Sequence, residues 1–336
     1  MKSVETQSVK KSARFSISRG MKTVLIALVA LYLASFMLAP TSVSRIAQMG
    51  MLPFAAVLAI IGLGQTLVIQ QGGIDLSVAG SVSLIVVIVT WGPNRVDSRL
   101  VPSIIAAIFA ALITGLINGL LVTKTRLNPI VATLGTNAIL FGVMMGLSAG
   151  SPRRTTERLA SWTNTRIFGL PHSVYAGIFM TIVVTLILKK TVIGRRFEAI
   201  GANPRAAVAT GLKVERYQIG AYVSAQLLYC IAGVIVGGVI SQPTAYQGEE
   251  FMLPSVAVVV LGGTSLLGGR GFPAASAMAA LFLKQLDMFV LSLGVPYGYR
   301  TIIISLSLMI GIAFYAINWS SFSMRQKFSQ SAGALT

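Results

Sequence analysis

Acidic residues are scarce in this chain: nine of 336, against 27 Lys and Arg. Charged residues of both signs make up 11%, far below the roughly 25% of ordinary soluble domains. A charge-solvated globular surface is therefore excluded. There is one cysteine, Cys230, so no intrachain disulfide can form. His172 is the only histidine, which leaves a histidine-based metal site without a second ligand; it reads as a residue at a membrane edge. No Gly-x-x-x-x-Gly-Lys-Ser/Thr phosphate loop is present, because the glycine-rich run Gly262–Gly271 lacks the lysine. No enzymatic activity, resident metal or bound cofactor is expected of this chain.

Apolar residues are plentiful, at 54%. Runs long enough to cross a bilayer core of about 30 Å fall at about 23–39, 51–70, 76–92, 102–123, 129–148, 172–188, 218–240, 252–267, 273–292 and 301–317. The eighth is short and Gly-rich. The pattern predicts an all-α polytopic membrane protein of about ten transmembrane helices. The first run follows a basic leader and resembles a signal peptide, but Pro40 directly after it argues against cleavage, and it is read as a retained span.

The net charge of +18 does not form a basic domain, so nucleic acid is not an expected partner. With both termini cytoplasmic, 18 basic residues fall inside and eight outside, leaving Lys284 within a span. This divides the chain into a basic N-terminal segment at 1–22, a transmembrane region at 23–317 and a cytoplasmic tail at 318–336. One cytoplasmic loop, 189–216, stands out. Within it Asn203 suits an N-cap, Pro204 the first helical position and Gly211 a left-handed stop, predicting a short helix placed to receive a soluble partner.

Ionisable residues at membrane depth are functional suspects. Lys284 and Asp287 lie three apart on one helical face, predicting an internal ion pair or a place on a pathway or subunit interface. Asp75 follows Gly72-Gly73-Ile74, predicting either a cap for the third span or a hinge for a gate. Polar uncharged residues in the spans, among them Gln65, Thr66, Asn118, Thr133, Asn137, Ser224, Gln226 and Gln285, serve either a conduit for a hydroxylated solute or interhelical hydrogen bonds. Ion-coupled carriers rely on acids near the bilayer midplane, and Asp287 is the one candidate here, so the energy source is expected in another subunit. The competing reading is an ion-coupled secondary transporter of a small neutral solute; a scaffold or channel would leave the capped helix without a purpose. Leu52-Pro53 with Gly72-Gly73 also echoes Leu253-Pro254 with Gly262-Gly263, either a duplication or a coincidence of apolar helices.

Four stretches resemble one family. They are Gly64-Gln65-Thr66-Leu67-Val68-Ile69 with Gly72-Gly73-Ile74-Asp75-Leu76-Ser77-Val78; Gly115-Leu116-Ile117-Asn118-Gly119 with Asn128-Pro129-Ile130-Val131-Ala132-Thr133; Ala199-Ile200-Gly201-Ala202-Asn203-Pro204-Arg205-Ala206-Ala207; and Val258 through Gly271. Together, over about residues 50–317, they resemble the ribose-type sugar permeases of bacterial ABC importers. The resemblance implies a multi-pass protein of the inner membrane that pairs with a second permease copy or homologue. It also implies a periplasmic sugar-binding protein and a cytoplasmic ATPase that holds the ATP and Mg. By the same likeness, Gly201, Asn203, Pro204, Arg205, Ala206, Ala207, Ala209 and Gly211 form the ATPase-coupling surface. Gln65, Gly72, Gly73, Asp75, Asn118, Asn128, Thr133 and Asn137 are the candidates for a pathway or gate. One departure is visible: Met252 and Pro254 stand where many relatives carry a Glu and an Asp, with Glu249 and Glu250 slightly upstream.

Overall fold

The computed structural model describes residues 19–303 except Pro152, Ser241 and Tyr297, together with Ser305, Leu306 and Met309. Most of the basic leader, most of the tenth run and all of the C-terminal tail lie outside the described residues. What is described is mostly helical: α1 (Arg19–Leu38), α2 (Arg45–Gln70), α3 (Val78–Trp91), α4 (Leu100–Thr123), α5 (Pro129–Ser148), α6 (Glu157–Asn164), α7 (His172–Lys190), α8 (Val192–Ala202), α9 (Pro204–Ala209), α10 (Val214–Val239), α11 (Met252–Leu261) and α12 (Pro273–Ser292). A two-residue hairpin, β1 (Arg166–Ile167) and β2 (Leu170–Pro171), precedes α7.

Seven of these helices are long and apolar enough to span a membrane: α1, α2, α4 (with its preceding turn), α5, α7, α10 and α12. The third predicted run is the shorter α3. The eighth ends early, because α11 stops at Leu261 where Gly262 and Gly263 turn the chain.

Local chemistry sets the helix starts. Ser44, Asn128, Thr156 and Thr191 each accept a hydrogen bond from an amide in the first turn of α2, α5, α6 and α8. Proline stands at the first position of α5 and α12, where its missing amide costs nothing. Burial then ranks the helices. In α2 89% of the apolar window is buried, against 17% in α1 and 22% in α7, so α2 is the hub. Val57, Ile60, Ile61 and Ile69 of α2 pack with Tyr222 and Tyr229 of α10 and Val258 of α11. The outer helices leave Phe36, Ile139 and Phe179 exposed, a surface suited to lipid or another membrane subunit.

Small residues allow close helix contact. On α4, Gly115 and Gly119 face α10, and a Cβ at Gly115 would lie 2.6 Å from the Cα of Val223. Gly115→Val is therefore expected to wedge α4 from α10 and cost about 1–3 kcal/mol, read as a lower thermal unfolding midpoint in detergent. An unchanged midpoint would refute this packing account.

The two glycine pairs of the echo, Gly72-Gly73 and Gly262-Gly263, both lie at helix stops, but one residue out of step, since Gly72 corresponds to Gly263. Gly72, at φ +81°, donates to the Ile69 carbonyl (2.9 Å), and Gly73 donates to Val68 (3.1 Å). Gly263, at φ +86°, donates to Val260 (2.9 Å), and Thr264 donates to Val259 (3.2 Å). Both are the same left-handed helix stop. The likeness ends there, since α2 has 26 residues and α11 has 10.

Candidate functional site

The segment 189–216 is not a loop around one helix; it carries two. Thr191 caps α8, whose Phe197, Ile200 and Gly201 are buried. Asn203 then ends α8 and begins α9, its Oδ1 accepting from the Ala206 amide at 3.0 Å with Pro204 at the first helical position. Gly211, at φ +80°, closes α9: its amide donates to Val208, and Leu212 donates to Ala207. Ala207 is the buried anchor, packed with Ile200 and Val214. Asn203, Pro204, Arg205, Ala206, Ala209 and Gly211 are exposed.

Gly201 is the joint behind that surface. A Cβ there would overlap the main-chain carbonyl of Gln70, at the end of α2, and would stand 3.0 Å from the amide of Gly269. The same carbonyl accepts the Gly269 amide at 2.9 Å, while the side chain of Gln71 donates to the Phe197 carbonyl at 2.8 Å. Three backbones thus meet: the end of α8, the end of α2, and the glycine-rich connection from α11 to α12. The end of α8 thus abuts the hub helix main chain to main chain.

A second constellation lies where α2 breaks before α3. Asp75 is fully buried. Its Oδ1 accepts the Ser77 amide (3.0 Å) and hydroxyl (2.6 Å), and its Oδ2 accepts Nε2 of Gln226 (3.0 Å). Asn118 Nδ2 donates to the Ser77 hydroxyl at 2.8 Å. The Gln65 amide, with its nitrogen facing acceptors, brackets the Asp75 main chain: it donates to the carbonyl (3.2 Å) and accepts from the amide (3.3 Å), with the Tyr229 hydroxyl 2.7 Å away. Thr133 Oγ1 accepts the Leu76 amide at 3.0 Å, and Asn137 Oδ1 accepts the Gly80 amide at 2.7 Å.

Of the eight pathway or gate candidates, Gln65, Asp75, Asn118, Thr133 and Asn137 therefore converge on the segment 74–80, supplied by α2, α4 and α5. Gly72 and Gly73 form the turn leading into it. Asn128 sits apart, exposed, as the cap of α5. The logic is that of irregular backbone inside a membrane protein, where side chains must replace the missing helical bonds. Sequence reasoning placed Gln226 among polar span residues but did not connect it, or Ser77 and Tyr229, to Asp75.

Three expectations are corrected. Asp75 does not cap α3: Ser77 holds the N-cap position, and the Asp75 carboxylate instead makes a turn onto Ser77. The scarcity of buried acids also has an exception, because this same carboxylate is fully enclosed. Lys284 and Asp287 do not pair with each other. Lys284 reaches Glu250 at 3.8 Å, and Asp287 accepts from Arg300 at 2.6 Å, because the turn before α11 and the chain after α12 bring partners closer than the same-helix neighbour. Of the other polar span residues, Thr66 donates to Ser276, and Gln285 joins Gln48 and Ser35, tying α12 to α2 and α1. Ser224 is exposed. His172 Nδ1 lies 2.9 Å from the Trp162 carbonyl, a structural contact at the hairpin.

Residues 49–313, which hold both constellations, match a family model described as the permease component of a branched-chain amino acid transport system. The chain belongs to this permease family. Relatives within its reach carry transport names. The ribose import permease RbsC of Bacillus subtilis is 33% identical over 319 residues, 93% of this chain and 98% of its own. A probable ABC transporter permease of Sinorhizobium fredii is 32% identical over 76% of this chain and 77% of its own. The fructose import permease FrcC of Rhizobium meliloti is 29% identical over 77% of this chain and 74% of its own. No solved structure gives a significant match. The chain is a multi-pass transmembrane permease subunit of an ABC importer, a role that is not itself enzymatic.

Proposed function

We propose that this permease moves a monosaccharide or related small polyol across the bacterial cytoplasmic membrane, with α9 receiving the force of ATP hydrolysis in a partner ATPase. The carrying observation is the joint at Gly201, which couples an exposed, doubly capped helix to the hub helix α2 and to the α11–α12 connection. The sugar assignment draws on relatives named for ribose and fructose import, although the family description names amino acids. A secreted sugar-binding protein delivers the substrate. A second permease copy or homologue completes the pathway, and ATP with Mg binds in the ATPase. Ten spans with both termini cytoplasmic place α9 on the ATPase side, in keeping with 18 basic residues inside and eight outside.

The ion-coupled alternative needs a carboxylate free to exchange a cation. Asp75 is instead held by hydrogen bonds from Ser77 and Gln226, which makes it part of the scaffold.

The test is reconstitution of the permease with an ABC ATPase and a sugar-binding protein, followed by uptake of labelled ribose, fructose and leucine. ATP-dependent sugar uptake is expected; leucine uptake in its place would overturn the substrate class. Arg205→Glu inverts an exposed charge on α9 without touching the buried anchor Ala207. It is expected to weaken co-purification of the ATPase about tenfold while membrane insertion is unchanged. Wild-type recovery of ATPase with this variant would remove α9 from the interface.

A further inference from the structure

A groove of about 580 Å³ runs between α7 and α10. The two helices pack separately on α2, whose Leu67 lines the floor, and Phe197 of α8 lines the end nearest the segment 189–216. Its walls are apolar, with Val184 and Leu188 on one side and Ala221 and Leu228 on the other. From Tyr217 to Ile231 the lining of α10 extends about 20 Å, which exceeds half the thickness of a bilayer core of about 30 Å. An acyl chain lying in one leaflet fits that length.

Gly220 keeps the groove open. It stands inside α10, where glycine is destabilising relative to alanine. No protein neighbour requires it, because a Cβ there would meet nothing within 4 Å. Gly115 and Gly119 differ, since the backbone of α10 itself forbids them a side chain.

Charge marks one end of the groove. Arg216 lines it where α10 begins, one turn from Gly220, and is exposed. Both acids of the segment 189–216 are engaged by other residues: Glu198 by Lys189 at 3.6 Å and Glu215 by Lys124 at 3.2 Å. The Arg216 guanidinium has no hydrogen bond or ion pair among the described residues. A long basic side chain at a helix end lays its stem along apolar surface and holds its head at the membrane edge, where lipid phosphates lie. An apolar trough ending in an unpaired cation is complementary to an anionic lipid.

We propose that this groove binds one anionic phospholipid, with an acyl chain over Gly220 and the headgroup phosphate on Arg216. The chain touches α7, α8 and α10 together, and so bridges the two spans that flank the α8–α9 segment. A zwitterionic lipid offers the same chain, but its own amine offsets the phosphate, so it binds more weakly. The inference is independent of which solute the permease carries.

The test titrates the full-length permease, delipidated in detergent, with phosphatidylglycerol or phosphatidylethanolamine and counts bound lipid by native mass spectrometry. Wild type is expected to take one phosphatidylglycerol about fivefold more tightly than phosphatidylethanolamine. Arg216→Gln should erase that preference. Gly220→Leu should weaken both lipids at least about fivefold and leave the thermal unfolding midpoint unchanged, since its side chain enters open space. Equal affinity of wild type for the two lipids overturns the proposal, as does a preference that survives Arg216→Gln. Undiminished lipid binding by Gly220→Leu would place the lipid elsewhere and overturn it too. Oxidative cross-linking of Gly220→Cys between two copies in native membranes would seat a second permease in the groove instead of a lipid.

Discussion

Alanine at Gly201 is expected to cut ATP-driven uptake by more than about tenfold while the permease still inserts and reaches the membrane in normal amount. The added methyl meets main chain on two sides. It would overlap the Gln70 carbonyl, and the Gly269 amide stands 3.0 Å away. Neither can swing aside as a flexible side chain would, and the Gln70 carbonyl is already engaged by Gly269 at 2.9 Å. The end of α8 must therefore retreat from α2, at an overpacking cost of about 1–3 kcal/mol. The exposed face of α9 lies beyond the joint, so ATPase binding should persist although its stroke no longer reaches the hub. Uptake, ATP turnover and co-purified ATPase, measured on the same preparation, separate the two. Uptake at the wild-type rate would show that the contact carries no force. Loss of ATPase binding alongside uptake would show that Gly201 shapes the docking face itself.

This joint also shows which parts of the molecule local sequence reveals. The caps of α9 were legible because Asn203, Pro204 and Gly211 act within one turn of the helix they bound. The neighbouring α8 was not, because Gly194 and Gly201 weaken a helical reading. Both glycines answer to close approach: a Cβ at Gly194 would strike the Leu188 carbonyl, as one at Gly201 strikes Gln70. Likewise the apolar run at 252–267 reads as a span by hydropathy alone, yet the turn at Gly262–Gly263 stops the helix after Leu261. Lys284 shows the limit in another form. Helical spacing offers Asp287 as a partner, whereas the fold brings Glu250 from 34 residues upstream. Type and approximate position of most helices follow from composition; pairing across distant segments follows from packing.

The same limit hides the best-buttressed acid among the described residues, and its replacement should have a large effect on stability. Asp75→Ala is expected to deplete folded permease from the membrane, with the residual protein unfolding far below wild type in a detergent thermal series. The carboxylate takes bonds from the Ser77 amide, the Ser77 hydroxyl and Gln226, the last lying 151 residues away in sequence. Removing it strips the Ser77 amide and hydroxyl of their acceptor and leaves Gln226 Nε2 only its bond to the Ser77 hydroxyl (2.8 Å), in a place water does not reach, at roughly 1–3 kcal/mol for each bond lost. The break between α2 and α3 would lose its anchor, because the Gln65 amide holds the Asp75 main chain only while the segment stays in register. Asp75→Asn separates charge from shape. It keeps one carbonyl oxygen for Ser77 but turns a donor toward Gln226, so its loss should be intermediate. Gln226→Glu in the Asp75→Asn background restores an acceptor opposite that donor and should recover part of the stability. Additive losses in the double variant would show that the two side chains do not act as a pair, and a stable Asp75→Ala protein would show that the network is not what holds the break in place.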